Sequence, residues 1–507
     1  MSHAALCGLA ENPALPPDLL DRLVETADDE VAAELAYRAD LSHAHAVALA
    51  ARSPETAVLL AYEGKLTAAD IDPAAQPDAA LALLDESAGL PEWAALLASD
   101  PEVARRKKLA ACPGLPPDVV ERLASDPDMG VVAQLAESTT VREVIERLAR
   151  HPHAEVRRGA AGNEAAPPEL LAALVRGDFP PALRCLVCDR EQVPFVHDPE
   201  CPRLDCDLPP GAACDGSHQS TVDDMYYAAL WNPATPAATA AVFADHPSAH
   251  LRRPLAARTD VPPRVYEQLA ADPVPYVRST LAENLSVGEG LVRLLADDGG
   301  YDVQRTVASR PGLPLDVVLR LAGAGKTGAA RLPRIADASP DEVRELARSP
   351  EPRVRMLVAL RRDLPDAVRD ALAEDPDAKV VKCVAPHPGL SEAQLRAMVD
   401  RHGVRVVAKV ATNPDASPEL LEDLTRHVPP VRKVLREIAR RPEATPTSLL
   451  VCLEEHQARP LAAGHPALPP ALIAELTTDP DRQVAQAAAA NPSLPPAMMR
   501  ALLDAEG

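Results

Sequence analysis

Five cysteines and two histidines lie close together in the middle of the chain, between positions 185 and 218. The candidate ligands are Cys185, Cys188, Cys201, Cys206, Cys214 and His218. Thiolates and imidazoles are the ligands that zinc and iron–sulfur clusters prefer. The other cysteines are scattered singly and the total of nine is odd, which is unlike a secreted disulfide scaffold. The segment therefore predicts a metal site.

The spacing of the first four cysteines favours zinc. Cys185 and Cys188 form a C-x2-C pair that can hold one ion, and Cys201 and Cys206 can complete a tetrahedron. A bound metal would supply folding energy to a segment that has no apolar core of its own. We expect a structural role, because all four positions would be protein ligands. The alternative is a loop of reduced thiols without a metal.

A second pattern leaves iron open. The pentapeptide from Cys214 to His218, Cys-Asp-Gly-Ser-His, resembles the end of the CDGSH iron–sulfur motif. This resemblance implies a [2Fe–2S] cluster held by three cysteines and one histidine. The Cys-x-Cys pair of that family is absent here, and Cys201-x4-Cys206 stands in its place. Zinc is therefore slightly preferred, and an iron–sulfur cluster used for redox or sensing chemistry is the alternative.

The cysteine-rich segment interrupts a repeat that runs through nearly the whole chain. Variants of one phrase, Asn-Pro-x-Leu-Pro-Pro-Asp-Leu-Leu, occur at 12–20, 112–120, 310–318, 465–473 and 491–499. Degenerate copies recur every 24–28 residues and give about 18 units, which is the signature of a solenoid. We therefore predict N-terminal repeats at 1–184, a metal-binding insertion at 185–222 and C-terminal repeats at 223–507.

Each unit predicts two helices. Pro-Pro followed by an acidic residue is typical of a first helical turn, where the missing N–H of proline has no partner to lose. An Asp-Pro signal, as at Asp100 and Asp126, predicts the cap and start of a second helix. A valine recurs 16 residues after the anchor leucine, as at Val131 and Val277, and is expected in the core. Stacked units must share one interior, because neither helix can bury its apolar stripe alone.

The repeat resembles the leucine-rich repeat variant family, whose pattern is close to the residues at 12–38 and 232–258. The resemblance implies alternating α- and 3₁₀-helices in a right-handed superhelix, related in style to HEAT arrays. It implies no activity. Some members of that family also carry an iron–sulfur domain. Repeat folds mostly serve as binding surfaces, so fold-level analogy predicts an interaction scaffold.

Charge narrows the classes of partner. The chain of 507 residues has a net charge of −23, which disfavours nucleic acid and anionic membranes. Residues 1–12 lack a secretory signal and no run of 18 apolar residues occurs. We therefore expect a cytoplasmic, non-enzymatic scaffold that binds protein partners and carries a structural metal.

A file of arginines follows the recurring valines, at Arg157, Arg252, Arg278 and Arg355. Residues at one repeat position line up along a solenoid, so these side chains should lie along one face. One interpretation is a ladder that binds acidic partners. The other, which we prefer, is salt bridging to acidic residues of the neighbouring unit.

Overall fold

The computed structural model describes residues 3–186, 188–189, 218–327 and 330–505. Within these residues the chain forms 35 α-helices, three short 3₁₀ segments and no β-strand. Consecutive helices pack against their neighbours in sequence. The predicted all-α solenoid is confirmed, while its handedness and its number of repeats stay predictions.

The chain divides into two compact units, one formed by residues 1–66 with 322–507 and the other by residues 67–321. The first five helices are α1 (His3–Glu11), α2 (Pro17–Thr26), α3 (Asp29–Ala36), α4 (His43–Arg52) and α5 (Pro54–Tyr62). The helices that begin in residues 67–321 are α6 (Pro77–Asp85), α7 (Pro91–Leu97), α8 (Val103–Ala111), α9 (Pro117–Leu123), α10 (Met129–Ser138), α11 (Arg142–Leu148), α12 (Ala154–Gly162), α13 (Pro168–Arg176), α14 (Gln219–Trp231), α15 (Ala237–Ala240), α16 (Ala249–Ala257), α17 (Pro263–Ala270), α18 (Pro275–Glu283), α19 (Glu289–Ala296), α20 (Tyr301–Ala308) and α21 (Leu315–Gly323).

The remaining helices belong to residues 322–507. They are α22 (Pro333–Ala336), α23 (Pro340–Leu346), α24 (Pro352–Ala359), α25 (Asp366–Ala373), α26 (Ala378–Val384), α27 (Glu392–His402), α28 (Val407–Val410), α29 (Pro418–Thr425), α30 (Arg432–Ala439), α31 (Pro446–Cys452), α32 (Arg459–Ala463), α33 (Pro470–Leu476), α34 (Arg482–Ala489) and α35 (Pro496–Asp504). The 3₁₀ segments are Ala68–Asp70, Ala241–Asp245 and Gly403–Arg405. Most described repeats therefore pair two α-helices, and the α/3₁₀ alternation implied by the family resemblance is not general.

The first helix of a repeat begins as the sequence predicts. Proline occupies the first helical turn of α2, α9, α13, α17 and α33. In α2 the residues Leu19, Leu20 and Leu23 are buried, so one apolar stripe faces the interior. The recurring valines are buried too, including Val131 and Val277, which are fully inaccessible. The predicted core positions are confirmed.

The second helix begins later than predicted. The Asp-Pro aspartates do not cap it: in the repeat at 126–138 the cap is Asp128, whose side chain accepts from the backbone N–H groups of Gly130 and Val131 at 2.8 and 3.3 Å. Asp126 instead accepts from the Asp128 N–H at 2.9 Å. In this turn one carboxylate oxygen of Asp126 accepts the Asp128 N–H. The other oxygen can therefore accept a hydrogen bond from an arginine of the preceding repeat. The prediction that Asp-Pro caps and starts the helix is wrong for this physical reason.

A polar side chain links many of the repeats to the one before. Asn284 donates to the carbonyl oxygens of Ala256 and Arg258, at 2.9 and 2.6 Å, at the end of α16. These carbonyls have no partner within their own helix. The side chains that donate in this way to two carbonyls, which we call the polar spine, are Asn12, Arg38, Asn163, Asn232, Arg258, Asn284, Arg310, Arg361, Asn413 and Asn491.

The polar spine continues across the insertion. Asn232 donates to Ala161 and Asn163, at 3.2 and 2.8 Å, although about seventy residues separate them. The helices α12 and α14 pack directly against each other. Repeats on the two sides of the insertion are therefore consecutive in the stack, and both belong to the unit of residues 67–321. The predicted limits of the insertion, 185 and 222, stay predictions.

The first repeat stacks on the last one within the unit of residues 1–66 and 322–507. Asn12 donates to the carbonyls of Ala489 and Asn491, both at 2.8 Å, as spine residues of consecutive repeats do. Helix α1 packs on α34, and Gly8 lies so close that a β-carbon there would overlap the Gln486 carbonyl oxygen. This contact joins residues almost the whole length of the chain apart.

Candidate metal centre

Three of the predicted ligands converge in the structure. The Sγ atoms of Cys185 and Cys188 lie 3.6 Å apart, and Cys188 Sγ lies 3.4 Å from His218 Nδ1. All three donor atoms lie within 4.8 Å of one another. Cys185 and His218 are 2% and 5% exposed, whereas Cys188 is exposed. A thiol pair and a buried imidazole therefore face a common point near the surface.

Stacking of two helices brings these donors together. The strand-like stretch before Cys185 is tied to the start of α12, since Leu183 N–H donates to Pro152 O at 2.8 Å and Ala154 N–H to Arg184 O at 2.9 Å. His218 precedes α14 directly and accepts from Val222 N–H at 3.0 Å. Because α12 and α14 pack side by side, the cysteine pair and the histidine meet at the N-terminal ends of both helices. The partial positive charge of those ends suits thiolate ligands.

An ion-pair network that includes the buried side chain of His153 holds the loop next to Cys188. The carboxylate of Asp189 accepts from His153 Nε2 at 3.0 Å and pairs with Arg184 at 2.6 Å. The His153 ring is oriented because its Nδ1 accepts from the Glu155 N–H at 3.3 Å, which places the ring proton on Nε2. These supporting residues were missed in the sequence. A signal existed: His153 stands three residues before the core valine, where other repeats carry a capping aspartate such as Asp28 or Asp128.

The donor set fits a tetrahedral ion. Zinc bonds of ordinary length place two sulfur ligands about 3.8 Å apart and a sulfur and a nitrogen ligand about 3.6 Å apart. The measured 3.6 and 3.4 Å come close to these values, and the sulfur separation is too long for a disulfide. His218 has a positive φ of 56°, which is uncommon for a residue with a side chain and persists where the surroundings impose it. The residues can hold a metal with one further ligand.

Cys201, Cys206 and Cys214 lie outside the described residues. The zinc interpretation grouped Cys201 and Cys206 with the C-x2-C pair, and the cluster interpretation used His218. The structure combines the C-x2-C pair of one interpretation with the histidine of the other. A fourth ligand from the three remaining cysteines would complete the site under either interpretation.

Two of the single cysteines elsewhere in the chain do not resemble metal ligands. Cys112 and Cys452 are buried in the helical core. Burial raises the pKa of both thiols to about 12, so they stay protonated near neutral pH and are poor ligands and nucleophiles.

A second group of potential donors joins the first and last repeats. His3 Nε2 lies 2.8 Å from Glu30 and 3.8 Å from Cys7 Sγ, and His3 Nδ1 lies 3.2 Å from Asp28. The carboxylate of Glu30 is paired with Arg482 as well. A cation already occupies the position that a metal would need, so we interpret this group as an ion-pair network.

The predicted arginine file is engaged within the chain. Arg252, Arg278 and Arg355 each pair through Nε with an aspartate 20 residues later, at 2.6 Å, and these partners are Asp272, Asp298 and Asp375. Arg157 donates instead to carbonyl oxygens, including Pro180 O at 2.7 Å. The first three arginines form the pairs that the salt-bridge interpretation predicts, and Arg157 does not. Partner binding through these four arginines stays a prediction.

The sequence matches no protein-family model and no curated protein sequence. In the described parts of the chain, no helix combines the length and apolar character that crossing a bilayer requires. The fold and the site define a helical-repeat protein with a candidate metal-binding loop between two stacked repeats.

Proposed function

We propose that this protein is a non-enzymatic, cytoplasmic scaffold of helical repeats that binds protein partners and carries a structural metal. The observation that supports it best is the convergence of Cys185, Cys188 and His218 where two repeats stack. A long stack of thin modules offers an extended surface, and folds of this kind commonly use such surfaces for binding. The acidic net charge of −23 favours protein partners over nucleic acid.

The location of the donors supports a structural role for the metal. Cys185 and Cys188 are attached to the start of α12 and His218 to the start of α14, so one ion would join two neighbouring repeats. The metal would anchor both ends of the insertion to the stack and supply folding energy for the segment between them. A fourth thiolate from the insertion would fill the tetrahedron and leave no open position for substrate.

An iron–sulfur cluster is the second candidate, because His218 ends the pentapeptide that resembles the CDGSH motif. The geometry favours a single ion over this cluster. The three described donors lie within 4.8 Å of one another and face one point, whereas a [2Fe–2S] cluster divides its four protein ligands between two irons.

Metal analysis of purified protein tests the site. We expect about one zinc per chain, with no visible absorbance after anaerobic purification. Cys188→Ser and His218→Ala should lose the metal and unfold at lower temperature, whereas the control Cys383→Ser should keep it. Visible absorbance with bound iron would support the cluster instead. A metal-free wild-type protein would overturn both candidates.

Co-purification of partner proteins tests the proposed role as a scaffold. Tagged wild-type protein should co-purify one partner in stoichiometric amount, and deletion of residues 190–217 shows whether the insertion contributes to that contact. An unchanged complex after the deletion would place the partner on the repeats alone. A wild-type protein that is isolated without any stoichiometric partner at native concentration would contradict the scaffold.

A further inference from the structure

A cavity of about 920 Å³ lies among the C-terminal repeats. The second helices of three consecutive repeats, α24, α26 and α28, contribute to its walls, and all of its lining residues lie between 331 and 409. Its volume falls within the range of small-molecule pockets. The cavity is distant in sequence from the metal loop and belongs to the other compact unit.

Its lining is strongly basic in a strongly acidic protein. Among the described residues that line it, five are cationic and none is acidic; the cations are Arg331, Arg362, Lys379, Lys382 and Lys409. Three of the eight lysines of the whole chain are among them. A concave surface lined by charges of one sign concentrates counter-ions by focusing the electric field.

These cations have no partner within the described part of the chain. Most arginines of the repeats are paired, as Arg355 is with Asp375 at 2.6 Å. By contrast, none of the five lining side chains forms a hydrogen bond or an ion pair with a described residue. Unpaired like charges repel one another, so their gathering costs stability. An anionic ligand would remove that cost.

The repeat itself does not require these lysines. Lys379 stands immediately before the core valine Val380, where other repeats carry Glu30 or Glu155. Lys382 stands two residues after that valine, where another repeat carries Ala133. Because the same helices form with acidic or small residues at these positions, helix formation does not account for the lysines.

The interior of the cavity is aliphatic. Met356, Leu360 and Pro386 line it, and no Phe, Tyr or Trp is among the described residues of its lining. His387 is buried and donates through Nε2 to the carbonyl oxygen of Ala359 at 2.8 Å. Burial lowers its pKa, and the nearby Arg331, Arg369 and Arg362 lower it further, so His387 is neutral at pH 7. The positive charge thus comes from the lysines and arginines, and the imidazole of His387 is the one aromatic ring among the described lining residues.

We propose that this cavity binds a small organic polyanion with an aliphatic body. Its phosphate or carboxylate groups contact the five cations, and its hydrocarbon part packs on Met356 and Leu360. The volume favours a small molecule over a segment of a protein partner. This binding site is separate from the metal centre and does not depend on it.

Calorimetric titration of the full-length protein tests the proposal. The probes are hexane-1,6-diyl bisphosphate and octanedioate, which separate phosphate from carboxylate recognition, with hexane-1,6-diol as the uncharged control. We expect one molecule of a charged probe to bind per chain and the diol not to bind. Added salt should weaken the binding, because it screens exposed charges.

Charge-removing variants locate the site. Lys382→Gln and Lys409→Gln should each weaken binding of the preferred probe by about tenfold, since each removes a charged hydrogen-bond donor. The matched control Lys433→Gln removes an exposed lysine of α30 and should bind like the wild type. Circular dichroism confirms that each variant is folded.

Three outcomes would overturn the proposal. The first is the absence of binding by both charged probes at millimolar concentration. The second is unchanged affinity in both cavity variants. The third is tighter binding of an octaglutamate peptide than of either probe, which would assign the cavity to an acidic protein segment.

Discussion

At the scale of single residues, a polar side chain of the spine joins one repeat to the next at many of the repeat junctions. Asn284 lies in an apolar interior, yet both hydrogens of its amide reach carbonyls that end α16. Its own oxygen accepts from the Ser286 N–H at 3.0 Å. All hydrogen-bonding atoms of this side chain therefore have partners. Its removal takes away the Asn284 donor from the Ala256 carbonyl, whereas the Arg258 carbonyl keeps the hydrogen bond that the Tyr266 hydroxyl donates to it at 2.8 Å.

We predict that Asn284→Ala lowers the free energy of unfolding by about 1 to 3 kcal/mol, which is the cost of one unsatisfied buried polar group. Asn284→Asp should cost at least as much, since a carboxylate cannot donate. Urea unfolding measures both. The neighbouring exposed residue Glu283 supplies the control Glu283→Gln, which should be neutral. A neutral Asn284→Ala would show that the polar spine does not contribute to stability.

At the scale of helices, ion pairs connect the second helix of one repeat to the turn before the next. Arg278 of α18 pairs with Asp298 at 2.6 Å, and both side chains are mostly buried. Burial acts to raise the pKa of Asp298, but hydrogen bonds from Arg278 and from the Gly300 N–H outweigh it, so that the pKa is lowered. The pair stabilises the fold only while the carboxylate is ionised.

The lowered pKa gives this pair a defined pH dependence. Its contribution should be complete above the ordinary aspartate pKa of about 4 and should be lost as the pH falls from there toward the folded-state pKa. We predict that Asp298→Asn costs about 3 kcal/mol at neutral pH, and that its difference from wild type shrinks below about pH 4. Urea unfolding across this range checks it. A difference that stays constant in acid would show that the ionised pair is not the cause.

At the scale of the whole molecule, one compact unit is assembled from both ends of the chain. The first repeat packs on the last repeat in the same way that, elsewhere in the chain, a repeat packs on the one before it. Gly8 permits this contact, as Gly159 permits the contact between α12 and α10, where a β-carbon would overlap the Ala133 carbonyl oxygen. The exposed ion pairs Arg22–Asp504 and Arg500–Asp18 lie across the same junction and should add little, because solvent screens them.

We predict that Gly8→Ala destabilises this unit by about 1 to 3 kcal/mol, as overpacking does elsewhere. Gly159→Ala should destabilise the unit of residues 67–321 by a similar amount. In Gly8→Ala, hydrogen exchange should rise in both α1 and α34. The control is Gly290→Ala, since Gly290 has open space around it and alanine favours its helix. Unchanged protection of α34 in Gly8→Ala would contradict the stacking of the two ends.

Local patterns were sufficient to predict the helices and their core positions. Proline before an acidic residue indicates a helix start. A valine such as Val277 recurs at a core position because each repeat buries the equivalent side chain against its neighbours. Residue chemistry alone also identified Cys185, Cys188 and His218 as candidate ligands.

Only the tertiary structure decided which distant groups meet. The pairing of the cysteines with His218, the role of Asp126 as an ion-pair partner of Arg106 instead of a helix cap, and the contact of Gly8 with α34 all depend on stacking between repeats. Such contacts produce no pattern in the local sequence, because the partners are separated by 20 residues in one case and by most of the chain in another. The physical reason is that a solenoid's interior is shared, so each buried group is satisfied by a neighbouring repeat instead of its own.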